Sequence, residues 1–276
     1  MKIDAHHHFW RYIAEEYGWI TDAMAVIRHN FLPETLAPML QSLKIDGTVA
    51  VQARQTVAET NWLLELAARH RFIKGVVGWV PLDDPQVEKL LDVLADDPRL
   101  KGVRHLLQAE PSVFMETSGF NAGLRAVAAQ GLTYDLLVFA RQLPAAIELV
   151  DRHPRLRFVV DHIAKPIIAG PPPPEWRQRI AELAKRPHVC CKFSGLVTEV
   201  RGDQWTPELL WPYFDVVLDA FGPERLMFGS DWPVCLVASD YTRWFRFVES
   251  CVEDLEPHER DRILGGTAAA FYRLAP

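Results

Sequence analysis

The stretch Ile3-Asp4-Ala5-His6-His7-His8-Phe9-Trp10 reads as a strand that carries chemistry at its end. Side chains two apart on a strand share a face, so His6 and His8 project together while His7 points away. Neutral imidazoles side by side are good ligands for zinc and its neighbours. An expression tag explains the run poorly, because it is short and sits inside an apolar strand pattern.

The same unit recurs along the chain. Apolar runs with strand character lie at 47–52, 75–80, 101–107, 132–138, 157–162, 188–194 and 225–231. Between them fall segments of helical spacing or with proline at a first turn: a start at Pro33-Glu34-Thr35, then 60–71, 85–95, 121–129, 144–151, 175–185 and 207–221. Strands alternating with helices predict a parallel sheet. Eight such strands in 276 residues predict one α/β domain over 1–276, a (β/α)8 TIM barrel with additional C-terminal helices at 241–253 and 258–272. The run Gly170-Pro171-Pro172-Pro173-Pro174 reads as a stiff surface loop, and Gln108 to Gly119 as a lid candidate at the barrel end where strands finish.

Composition narrows the function class. With 49% hydrophobic and 24% charged residues the chain is globular, and a net charge of -6 supplies neither a basic footprint for nucleic acid nor a patch for anionic membranes. Cys190, Cys191, Cys235 and Cys251 form no CxxC pair and read as reduced thiols. With no signal-peptide pattern at the start and no apolar run near the ~20 residues of a membrane span, the expected location is the cytoplasm. The expected partner is a small molecule. The sequence leaves a homo-oligomer open: the aromatic segment Tyr241 to Phe247 is a candidate face for it, or equally for packing on the barrel.

In a barrel of this kind the active site lies at the C-terminal ends of the strands. That rule collects His6 and His8; Gln52 and Arg54; Arg104 and His105; Tyr134 and Asp135; Asp161, His162 and Lys165; Lys192 and Ser194; and Asp231. Parallel barrel strands are normally apolar throughout, so polar groups gathered at their ends need a reason. For Arg54, Asp161, Lys192 and Ser194 taken singly, satisfying loops or pairing with one another is reason enough.

The His-x-His of the first strand, together with Gly102-Val103-Arg104-His105, Val160-Asp161-His162-Ile163-Ala164-Lys165-Pro166, Lys192-Phe193-Ser194-Gly195 and Phe228-Gly229-Ser230-Asp231-Trp232-Pro233, resembles the lactonase branch of the amidohydrolase superfamily. That branch, of the amidohydrolase 2 type, includes L-fuconolactonases and L-rhamnonolactonases. The resemblance covers nearly the whole chain. It implies a sugar-lactone hydrolase with a site built from His6, His8, His162 and Asp231. Dinuclear members of the superfamily carry a lysine on the fourth strand and a histidine on the fifth, where this chain has Arg104-His105 and Tyr134-Asp135, so a bridged two-metal centre is not expected. Two readings stay open: one divalent metal, zinc first, on His6, His8, His162 and Asp231, or a metal-independent site in which imidazoles and Arg104 or His105 donate hydrogen bonds.

The expected mechanism is attack by water. Asp231 acts as general base and returns the proton to the leaving oxygen, while His105, Arg104 and His162 complete the catalytic set. No Gly-x-Ser-x-Gly elbow offers a serine nucleophile. Trp10, Gln52, Arg54, Lys165 and Trp232 are the expected substrate contacts. L-fuconolactone or L-rhamnonolactone is the first-choice substrate; the alternatives are a carboxylated or sulfonated lactone, or a metal-dependent decarboxylase.

Overall fold

Val, Ile and small residues make the strands, and their alternation decides what enters the barrel. In the computed structural model, which describes residues 1–202 and 204–275, the strands are β1 (Ile3–His7), β2 (Gly47–Val51), β3 (Ile73–Gly78), β4 (Leu100–His105), β5 (Thr133–Leu136), β6 (Arg157–Val160), β7 (Val189–Phe193) and β8 (Leu226–Phe228). They pair in parallel in the order β1 to β8. The last strand returns to the first through a parallel bridge between His7 and Trp232. Two hydrogen bonds make that seam: Asp231 N–H to the His6 carbonyl at 2.8 Å and His8 N–H to the Trp232 carbonyl at 2.7 Å. The expected (β/α)8 barrel is the observed fold.

The major connections are helical: α1 (Pro33–Leu43), α2 (Val57–Arg69), α3 (Val87–Leu94), α4 (Ser118–Ala129), α5 (Leu143–Arg152), α6 (Pro174–Ala184) and α7 (Pro207–Phe221). Local chemistry sets their starts. Proline occupies the first turn of α1, α6 and α7, and the Thr56 hydroxyl accepts from Glu59 N–H at 3.2 Å to cap α2. After β8 come α8 (Tyr241–Cys251), α9 (Pro257–Asp261) and α10 (Thr267–Tyr272). The helix expected over 258–272 is therefore interrupted, by a π turn at Arg262–Gly266. Gly265 is the reason: a β-carbon there would lie 2.2 Å from the Met1 carbonyl oxygen, so only glycine lets the chain pass the start of β1.

Inside the barrel, Ile3, Ala5, Val49, Val51, Val77, Val159, Cys190 and Met227 form an apolar layer closed from below by Phe271 and Tyr272. Simple alternation from Ile3 and Ala5 would send His7 inward next. Instead the register against β2 slips between the pairs Asp4 with Thr48 and His7 with Ala50, three residues against two. The slip turns His6 and His8 into the barrel, while the His7 ring faces outward to the Thr48 hydroxyl at 2.9 Å.

Asp4 anchors the same strand from outside the pocket. Its carboxylate accepts from the Ser230 N–H at 2.9 Å, from the Tyr241 hydroxyl at 2.9 Å and from the His6 N–H at 3.1 Å. Replacing Asp4 with alanine strands buried donors on three elements, at about 1–3 kcal/mol each. A urea denaturation midpoint well below wild type is the expected outcome for Asp4→Ala; an unchanged midpoint contradicts this anchoring role.

Candidate active site

The interior residues of each strand's upper end meet in one buried cluster. Asp231 Oδ1 lies 3.4 Å from His8 Nε2, 3.7 Å from His6 Nε2 and 3.9 Å from His162 Nε2, and the two β1 imidazoles are 3.3 Å apart at their Nε2 atoms. Three rings from two strands thus surround one carboxylate oxygen. Asp231 has φ 56°, and His162 to Lys165 form a continuous left-handed turn. Such backbone is costly for non-glycine residues and persists where packing enforces it. Gly195, at φ 67°, packs against this turn: a β-carbon there would lie 2.4 Å from His162 Nδ1 and 3.1 Å from Asp231 Oδ2.

Beneath the rings lies a layer of buried charge. Arg104 donates through Nη1 to Asp161 Oδ2 at 3.1 Å and through Nη2 to the Gln52 carbonyl, and Nη1 is 3.2 Å from His6 Nε2. Lys192, fully buried, pairs with Asp135 and with Asp161 Oδ1 at 3.0 Å and reaches His6 Nδ1 at 3.1 Å. The Tyr272 hydroxyl donates to Asp135 at 2.9 Å from below. Burial alone would raise the pKa of Asp161, but Lys192, His6 and Arg104 hold it well below the usual carboxylate range.

The expected site residues divide. His6, His8, Arg104, His162 and Asp231 come together. His105 does not, because neighbouring strand residues face opposite ways: with Arg104 inward, His105 turns out, stacks on Phe114 at 5.1 Å and contacts Glu110 at 3.2 Å. It pins the 108–119 loop, which is folded as short turns with Met115 buried. Gln52 sends its amide to the Arg104 carbonyl at 3.2 Å. Arg54 pairs with Glu16 and lies over the Tyr17 ring, in the segment that follows β1. Trp10 and Trp232 are buried against Phe31, in a wall behind the histidines. Lys165 stays beside the cluster, 3.6 Å from Glu199.

Glu199 and Tyr272 were absent from the residues the strand-end rule collected, and Lys192, which it did collect, was read singly as structural pairing. Lys192 had a readable signal, a charged residue inside a parallel strand otherwise buried and apolar. Glu199 and Tyr272 had none, since a loop and a terminal helix bring them in.

The family profile that matches residues 3–274 is that of the amidohydrolases. The chain belongs to the amidohydrolase family. It is 42% identical to an L-fucono-1,5-lactonase of Burkholderia multivorans over 99% of this chain and 96% of that one. An L-rhamnono-gamma-lactonase of Scheffersomyces stipitis is 25% identical, over 75% of this chain and 70% of its own. Among solved structures, an amidohydrolase from Burkholderia multivorans with bound zinc superimposes with TM-score 0.93 at 41% identity, covering 100% of both chains.

In this amidohydrolase, His6, His8 and Asp231 have the spacing a metal asks for. Donors ~2.0–2.2 Å from a tetrahedral zinc sit roughly 3.3–3.6 Å apart, and the three separations here, 3.3, 3.4 and 3.7 Å, lie in or just beyond that range. His8 also has the required second contact, its Nδ1–H donating to the Val51 carbonyl at 2.8 Å and leaving Nε2 with a free lone pair. The residues fit a single divalent ion.

Burial is the first cause of the low pKa of His6, His8, His7 (about 3) and His162 (about 4). In the unfolded chain each titrates near 6.5. Below that pH the unfolded state binds more protons, so stability falls as the solution is acidified from about 6.5 toward the folded values. Buried carboxyls oppose this: burial raises Asp4 and Asp135 to about 6 and raises Glu59 and Glu199 as well, so these groups add stability as pH falls through their folded values, but His105 and His153, also lowered by burial, join the four rings on the other side. Calorimetry is expected to give a lower Tm at pH 5 than at pH 7; an equal or higher Tm at pH 5 contradicts the neutral, buried state of these rings.

Proposed function

We propose that this amidohydrolase opens a sugar lactone to its aldonic acid, L-fuconolactone or L-rhamnonolactone first, by direct attack of water. The observation that carries the reading is the convergence of His6, His8 and His162 on one oxygen of Asp231 at the mouth of the barrel. The end-to-end match with an L-fucono-1,5-lactonase supports the substrate class. The whole chain serves as one catalytic domain.

Lactone opening needs a proton taken from water, a polarised carbonyl and a proton delivered to the leaving ring oxygen. Asp231 does the first and last. Burial would raise its pKa, but His162, His8 and Lys165 outweigh burial and the net shift is downward, so it is ionised and ready to accept a proton. Having taken that proton, it holds the acid form required when the ring oxygen departs. Arg104 and His162 stabilise the charge that develops on the carbonyl oxygen, a contribution of about 2.7–4 kcal/mol per well-placed donor. A divalent metal, zinc first, held by His6, His8 and Asp231 with His162 beside them, supplies Lewis acidity to the same carbonyl when bound.

Recognition of the sugar falls to polar groups around this centre. Lys165 and Glu199 are both largely buried, and Glu199 is close enough to Asp231 for that carboxylate to raise its pKa further, after burial. The pair offers a donor and an acceptor to ring hydroxyls. Gln52 Oε1 and Arg104 Nε are buried polar atoms without a hydrogen-bond partner among the described residues. His105 acts through the loop it pins, outside the reacting centre.

The test is a panel of sugar lactones assayed by pH indicator, with and without chelator. Wild type is expected to release acid from L-fuconolactone or L-rhamnonolactone. Asp231→Asn is expected to lose about 10²–10⁴ in kcat while keeping its fold. Turnover near wild type in that variant contradicts the assignment of the base. Glu199→Gln is expected to lose kcat/KM on hydroxylated lactones and to match wild type on an unsubstituted butyrolactone. Equal losses on both contradict its role in reading hydroxyls.

A further inference from the structure

A second cavity lies outside the barrel, away from the histidine cluster. The turn Ser112–Glu116 packs against both α4 and α5, and a cleft of about 390 Å³ opens between the two helices. Arg125, Ala128 and Ala129 of α4 line it, with Arg152 at the end of α5 and His153 and Arg155 in the turn that leads into β6. The turn enters β6 at its N-terminal end, so the cleft sits toward the end of the barrel opposite the strand tips. A space of this size takes a small metabolite as well as a bare ion.

Its lining is unbalanced in charge. Arg125, Arg152 and Arg155 form no ion pair among the described residues, in a chain whose net charge is -6. The carboxylates beside them in sequence do not compensate: Asp151 pairs with Arg186 at 2.7 Å, and Glu148, one helical turn before Arg152, makes no ion pair with it. The C-terminal ends of α4 and α5 also line the cleft and supply about half a negative charge each, which leaves roughly two of the three positive charges unmatched. Arg125 and Arg152 reinforce burial in lowering the His153 pKa to about 4, and no carboxylate opposes them.

The cluster is also held in place. Asn121 spends its amide hydrogens on the Met115 and Thr117 carbonyls, so its oxygen is the acceptor for Arg152 Nε at 3.3 Å and for His153 Nε2–H at 2.7 Å. Arg152 Nη2 donates to the Met115 carbonyl at 2.8 Å, and Nη1 is left over. Arg125 and Arg155 are exposed and make no side-chain hydrogen bond among the described residues, so each keeps five N–H donors for a ligand.

We propose that this cleft binds the phosphate group of a small phosphorylated metabolite, at a site separate from the lactone pocket. Guanidinium forks match phosphate oxygens, and a dianion matches the two unbalanced charges. A carboxylate brings one charge and two oxygens, which leaves part of the cluster unpaired. Nucleic acid asks for an extended basic face, which a chain of net charge -6 does not supply. The site is independent of lactone hydrolysis and stands or falls without it.

Calorimetric titration of the full-length protein with inorganic phosphate and with glucose 6-phosphate tests this, alongside gluconate as a hydroxylated carboxylate. Both phosphates are expected to bind wild type, and gluconate more weakly than either. Arg125→Gln and Arg155→Gln change exposed side chains that the core does not use. Each is expected to weaken phosphate binding roughly 10- to 100-fold, while Asp231→Asn leaves it unchanged. Hydrogen exchange gives the location: bound phosphate is expected to slow the amides of 125–131 and 152–156. No binding of either phosphate, wild-type affinity in either arginine variant, gluconate binding as tight as that of glucose 6-phosphate, or slowed exchange confined to the strand tips each overturns the proposal.

Discussion

Two hydrogen bonds across the seam between the first and last strands hold the pocket together. Asp231 N–H meets the His6 carbonyl, and His8 N–H meets the Trp232 carbonyl. The backbones of the three central residues are thereby locked to one another, and their side chains have little choice but to converge. Asp4 braces the seam from outside through Ser230 and Tyr241, so the outer layer of helices helps to fix groups inside the barrel. The one-residue slip in β1 completes the arrangement, since without it His6 and His8 would face away from the barrel axis.

The interior is stratified. An apolar floor carries a layer of Arg104, Asp135, Asp161 and Lys192, and the imidazoles stand above that layer. Buried charges are expensive to desolvate, and removing one partner leaves the other uncompensated, at about 3–5 kcal/mol. An apolar filling would serve stability equally well. The charges make sense as devices that orient rings: each contacts a histidine directly or holds a group that does. Tyr272 extends the column to the C-terminal helix, so the far end of the chain reaches the active site through Asp135.

Much of this was legible before the fold was known, and the reasons differ by residue. The alternation of apolar runs with helical segments was enough for the barrel, because parallel strands buried on both faces leave a strong periodic signal. The barrel rule then collected strand-end residues, and among them His6, His8, Arg104, His162 and Asp231 lie together in one cluster. His105 lies outside that cluster, since the rule locates an end of a strand and leaves open which face a residue takes. Lys192 was readable as a charge in an apolar strand, yet singly it looked like structural pairing; only its distance to His6 Nδ1 shows what it touches. Glu199 and Tyr272 depend on a loop and a terminal helix, and tertiary packing alone brings them in. Trp10 and Trp232, aromatic and near strand ends, proved to be packed on other rings, which is the commoner fate of large apolar side chains.

The central claim is that this seam-locked trio delivers water directly to the lactone carbonyl, with no covalent stage. Single-turnover hydrolysis in ¹⁸O-water, with enzyme in excess over L-fuconolactone, tests it most directly. One labelled oxygen in the product carboxylate on the first turnover, with the protein unlabelled, is the predicted result. A first-turnover product without label, accompanied by label in Asp231, would contradict it.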